Sequence, residues 1–239
     1  LGGEGGIMKV ALCLFGQPRF FEEGSVGIKH FIDGCDVDTF IHVWLSNDMI
    51  GKLYGSVNYP NMPGWLVESD TDKKIIDLYR PKACTFQPPI DFGDNYRFDF
   101  NDANSKPAKH IVSQFYSRKA VGQLLKEYSD RSGNTYDAVI FSRTDLRIHS
   151  RLIDETQVVK NEVLTAFVNG HIWNNDHLND PIIISDYDTM IHFSNLYDSF
   201  ESYVKNGMYL CSHRLSIHHL KQHNVTFKQI LQDKWDYIR

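Results

Sequence analysis

The residues best suited to chemistry lie at 136–148, YDAVIFSRTDLRI, where an apolar run breaks into Ser142-Arg143-Thr144-Asp145-Leu146-Arg147. A carboxylate just past a buried strand is presented rigidly near a sheet edge. Asp145 in that position can hold a divalent cation that bridges a diphosphate, and hard oxygen ligands suit Mg2+ or Mn2+. Arg143 and Arg147 can neutralise phosphate directly through their planar forks. The three charges alternate along the chain, so an extended backbone would put them on one face. The same residues can equally form a structural salt-bridge cluster.

A second stretch, Gly16-Gln17-Pro18-Arg19, follows the apolar run at 9–15. Gly16 permits close backbone approach, the Gln17 amide can read a base or ribose edge, and Arg19 can pair with phosphate. An ordinary strand-to-helix turn has the same composition. The third stretch is HIWNNDHLND at 171–180, whose amides, carboxylates and Trp173 suit sugar recognition. His171, Asp176 or His177 can bind a metal but follow no strong zinc spacing, and a solvated loop has the same composition. His219 and His223 stand four apart without HExxH, and surface or capping roles are expected for the late histidines. GxGxxG, the Walker loop and GxSxG are all absent.

These stretches need a frame that delivers them to one edge. Continuous apolar runs at 9–15, 38–45 and 136–142 read as strands buried on both faces. A helix over 21–33 is weakened by Gly24 and Gly27. Another is expected over 71–80, capped by Ser69 or Asp70 and stopped by Pro81. A strand at 82–87 precedes a long helix opened by Pro107. Strands at 162–168, 181–185 and near 225–227 follow, with a single helix over 186–203 and another over 212–223. Segments 46–68 and 90–106 read as long loops. The alternation gives an α/β sandwich with a mostly parallel central sheet, in which ligands bind beyond the carboxyl ends of the strands.

Bulk properties narrow the function. The net charge of −5 disfavours a nucleic-acid binder, which needs a basic face. No stretch approaches the about 18 apolar residues of a membrane span. Four scattered cysteines fit a reduced, cytoplasmic setting without structural zinc. Residues 1–7, LGGEGGI, read as an expression scar. Residues 8–239 read as one domain, either alone or as part of a longer protein.

The ordered set GQPR, DTFIHVW, SQFYS, YDAVIFSRTDL and NDPIIIS resembles GT-A-type glycosyltransferases of the polysaccharide- and capsule-modifying kind, known from bacteria and large viruses. The resemblance spans about residues 8–227 and implies a single Rossmann-like α/β/α domain that binds a nucleoside-diphosphate sugar. It implies transfer of the sugar to a hydroxyl of a glycan acceptor. The family's DxD metal motif would fall on SRTDL, with Arg143 in place of the first Asp and Asp145 as the last, holding Mn2+ or Mg2+. By the same analogy Gly16, Gln17, Arg19, Arg143, Thr144 and Arg147 meet the donor, joined by Ser113, Gln114 and Arg118 from the helix. Asp180, and after it Asp176, are the candidate catalytic bases. A non-catalytic nucleotide-sugar or glycan-binding module of the same fold is the alternative.

Overall fold

The computed structural model describes residues 7–54, 64–93, 108–155, 157–166 and 178–238. Pro107, the candidate residues His171, Asp176 and His177, and much of both expected long loops lie outside these residues. Eleven strands and seven α-helices form among the described residues. The strands are β1 (Lys9–Gly16), β2 (Asp36–Trp44), β3 (Leu53–Tyr54), β4 (Trp65–Leu66), β5 (Ala83–Gln87), β6 (Ala138–Ser142), β7 (Leu146–Ile148), β8 (Glu162–Ala166), β9 (Ile182–Ser185), β10 (Thr226–Ile230) and β11 (Trp235–Tyr237). The helices are α1 (Phe21–Phe31), α2 (Thr71–Tyr79), α3 (Ala108–Ser132), α4 (Leu152–Glu155), α5 (Tyr187–Ser194), α6 (Leu196–Lys205) and α7 (Ser212–Gln222).

The central sheet has seven strands in the order β10-β8-β9-β6-β1-β2-β5. Parallel pairing joins β6 to β1, β1 to β2, β2 to β5 and β10 to β8. Only β9 runs antiparallel to its neighbours β6 and β8. The apolar run of β1 is buried on both faces, as continuous apolarity requires. Val10, Leu12 and Leu14 pack with Ile28 of α1 and Ile148 of β7. Ala11, Cys13 and Phe15 pack on the other face with Val121 of α3, Met190 of α5 and Ile217 of α7.

Two expectations change. The helix over 186–203 is two helices, α5 and α6, parted at Asn195. The Ser194 hydroxyl donates to the Ile191 carbonyl at 2.7 Å, a side-chain bond of the kind that bends helices. The strand after β6 does not continue straight, since residues 143–145 bend before β7 begins.

Pairing positions the candidate site. Leu14 lies opposite Ser142 in the parallel β1–β6 ladder, so the turns after both strands emerge side by side. Because β9 runs the other way, its first residues start where β6 ends, with Ser142 opposite Ile182. That brings Asp180 to the same edge. α1 then packs down on the chain that follows β6. A Cβ on Gly24 would sit 1.8 Å from the Thr144 carbonyl oxygen, and one on Gly27 would sit 2.6 Å from the Ile148 backbone nitrogen. The two glycines thus weaken the helix locally because the packing demands their lack of side chain.

Candidate functional site

The 16–19 turn and the 142–145 turn are tied together directly. The Thr144 hydroxyl lies 3.0 Å from the Arg19 carbonyl and 3.3 Å from that of Gln17, donating to this pair of acceptors. Gly16 has φ +99°, a backbone state that favours glycine. Its N–H donates to the Ser117 hydroxyl at 2.9 Å. Arg143 forks onto Asp145, with Nε 2.8 Å from Oδ1 and Nη2 2.5 Å from Oδ2. Arg19 Nη2 lies 3.7 Å from the same Oδ2. The Arg143 guanidinium also rests over the Tyr237 ring at 4.9 Å. The Ile238 N–H donates to the Asp145 carbonyl at 3.0 Å, so the segment after β11 pins the turn from behind.

Deeper in, Arg118 and Asp180 form a second pair. Arg118 Nη2 lies 3.1 Å from Asp180 Oδ2 and donates at 3.1 Å to the Asp180 carbonyl. Gln114 Nε2 donates to the same carboxylate at 2.8 Å. The guanidinium is packed between the Phe15 and Phe193 rings, at 5.2 and 5.7 Å. Among the described residues its Nε and Nη1 are buried without a hydrogen-bond partner, and so is Arg19 Nε.

Electrostatics link the two pairs. Burial opposes the Arg143 charge, but Asp145, Tyr237 and Asp180 outweigh it and raise its pKa. Burial lowers the pKa of Arg19, and the nearby Arg143 lowers it further. For Arg118 burial again dominates and lowers the pKa, against the opposing pull of Asp180. Three guanidiniums face two carboxylates, which leaves a formal excess of one positive charge.

That arrangement does not fit a divalent cation at Asp145. Mg2+ and Mn2+ need several oxygen ligands, whereas both Asp145 oxygens are taken by the Arg143 fork with Arg19 close by. An anion suits the cluster, because Arg19 and Arg143 keep about a quarter of their side chains exposed while Asp145 is nearly covered.

The remaining sequence candidates divide by position. Gly16, Gln17, Arg19, Arg143, Thr144 and Asp145 come together at the edge, with Gln17 exposed. Gln114 and Arg118 reach the same region through Asp180. Ser113 is half-buried on the first turns of α3. Arg147 does not share a face with Arg143 and Asp145, because the bend at 143–145 breaks the alternation. It is exposed on β7 and lies 3.8 Å from Asp236 of β11.

Several supporting residues escaped the sequence reading. Ser117 also meets His42 Nδ1 at 2.7 Å, and His42 Nε2 meets Gln87 Oε1 at 3.0 Å. Gln87 in turn donates to the Tyr116 hydroxyl at 3.1 Å. This chain ties α3 to the ends of β1, β2 and β5. His42 sits inside an apolar run and Ser117 in a polar stretch of α3, so neither residue showed its partner in the sequence. Tyr237 stands in a short WDY stretch whose strand has no periodicity to reveal it.

No protein-family model and no curated protein matches the sequence. In structure the chain is similar to glycosyltransferases. The apo-form glycosyltransferase GlyE of Streptococcus pneumoniae TIGR4 matches with a TM-score of 0.47 and 7% identity, over 94% of this chain. The chain spans only 46% of the length of that protein. The galactosyltransferase LgtC, solved with donor and acceptor sugar analogues, matches with a TM-score of 0.45 and 12% identity, over 92% of this chain and 73% of its own. Among the described residues no helix is long and apolar enough to cross a membrane.

Proposed function

We propose that the chain is a glycosyltransferase that binds a nucleoside-diphosphate sugar at the carboxyl edge of β1 and β6 and passes the sugar to a glycan hydroxyl. The observation that carries this reading is the bonded junction of the two turns, where Arg19 and Arg143 are held around Asp145. Departure of the sugar leaves negative charge on the diphosphate. Preorganised guanidiniums aimed at that charge stabilise it without reorganising at the moment of reaction. In this reading Asp145 is a positioning residue that fixes two arginines, and no step needs a metal ion. Gly16 and Gln17 line the approach of the nucleotide. A polysaccharide or capsule glycan as acceptor is carried over from the sequence resemblance, and a cytoplasmic site of action from the four scattered cysteines.

Asp180 enters differently from its expected role as base. Its carboxylate is engaged by Arg118 and Gln114 and is buried. A general base must reach the acceptor proton, so we assign Asp180 to anchoring Arg118. This occupied carboxylate is the specific observation that supports a second reading, a nucleotide-sugar-binding module without turnover.

The test incubates the protein with UDP-, GDP- and TDP-sugars and follows release of nucleotide with and without EDTA. An enzyme releases nucleotide slowly from one donor, with EDTA making little difference. Binding without release identifies the module. If no nucleotide sugar binds at millimolar concentration, both readings fail.

A further inference from the structure

We infer that His192, His219 and His223 form a binding site for one divalent transition-metal ion of the zinc class, bridging α5 and α7. The three side chains converge from two elements. His192 lies in the last turn of α5, while His219 lies in the last turn of α7 and His223 caps that helix, one turn on. One ligand atom of each lies within 4.8 Å of the others. The rings are in contact, with centroids 3.5 Å apart for His192–His223, 4.9 Å for His219–His223 and 5.2 Å for His192–His219.

A second observation points to a ligand. His192 Nε2 is buried and has no hydrogen-bond partner among the described residues. A buried imidazole nitrogen left unpaired is costly, and coordination would satisfy it. Burial lowers the pKa of His192, and the nearby His223 lowers it further. Burial also pushes His219 down, to about 4.

His219 has a defined cost and a defined support. Its Nε2 donates to the His192 carbonyl at 3.1 Å, so its Nδ1 accepts from the Tyr203 hydroxyl at 2.9 Å. To coordinate through Nε2, the ring shifts its proton to Nδ1 by exchange with solvent and stays neutral. Tyr203 then changes from donor to acceptor, an outer partner of the kind that orients metal-bound histidines. Tetrahedral Zn–N bonds of about 2.1 Å place nitrogens about 3.4 Å apart. His223 is exposed, so its rotation can close the gap and its side of the site opens to solvent. Three imidazoles suit zinc, copper or nickel better than magnesium or calcium.

The experiment uses the full chain, free of any histidine tag and stripped with EDTA, then titrated with Zn2+ by calorimetry and with Co2+ by visible absorption. Wild type is expected to bind one Zn2+ per chain and to melt at a higher temperature with it. His192→Ala and His223→Ala should each weaken binding about tenfold or more, and Tyr203→Phe should weaken it less. His30→Ala, exposed on α1, should leave binding unchanged. Because His223 is exposed, its loss leaves the fold intact and keeps the result readable. Absence of saturable binding would overturn the assignment. So would binding unaltered in both His192→Ala and His223→Ala, which would place the ion at other histidines.

Discussion

Two arginine–carboxylate pairs lie near each other at the carboxyl edge, and they are built to opposite ends. Arg118 and Asp180 have side chains 2% and 7% exposed, sealed between Phe15 and Phe193. Arg19 and Arg143 around Asp145 have side chains 22% and 24% exposed over a carboxylate that is 8% exposed. A sealed pair can only hold elements together, since its charges meet no ligand. A half-open pair presents cations whose partner lies underneath them. The difference teaches that the carboxylates here serve the arginines, whereas a metal motif would use them the other way round.

Breaking the sealed pair should have the largest effect. Arg118→Met strands the Asp180 charge in the interior and should cost about 3–5 kcal/mol, measured by urea unfolding. A loss under about 1 kcal/mol would mean that water reaches the pair and that the contrast is false. Next in size is Gly24→Ala. Its new methyl would press on the Thr144 carbonyl, costing about 1–3 kcal/mol. By shifting the half-open pair it should also slow turnover by about 100-fold. Retained turnover would show that the 142–145 turn is not where the donor binds.

Asp145→Asn is expected to cost less stability, about 1–2 kcal/mol, because one charged fork is lost at a partly open site. Its main effect should be weaker nucleotide affinity, equal in EDTA and in Mn2+. Arg147→Ala sits at the bottom of the scale. Its exposed contact with Asp236 is worth under about 1 kcal/mol, and nucleotide affinity should not change. A marked loss of affinity would bring Arg147 back into the cradle.

Much of this frame was legible in the residues. The runs at 10–15 and 138–141 are continuously apolar because both faces of those central strands are covered, and their ends carry the unusual polar turns. Periodicity could not show that Asp145 points into an arginine fork, since that depends on the bend at 143–145 and on Tyr237 and Ile238 arriving from the far end of the chain. It also could not foresee that Asp180 would be captured by α3, because that pairing follows from the reversed direction of β9. Gly24 and Gly27 read as helix defects in isolation and make sense only against the chain they touch. The split at Asn195 has a local cause, the Ser194 back-bond, which a hydrophobic pattern does not register. The histidine cluster hid for a similar reason, as His192 comes from a different helix than the pair at 219 and 223.

The most direct measurement is calorimetric titration of UDP, GDP and TDP into wild type and Arg143→Met, each in EDTA and in Mn2+. An arginine cradle predicts that one nucleotide binds wild type in EDTA, that Mn2+ adds little, and that removing Arg143 weakens binding strongly. Binding that appears only with Mn2+ and survives the loss of Arg143 would contradict it.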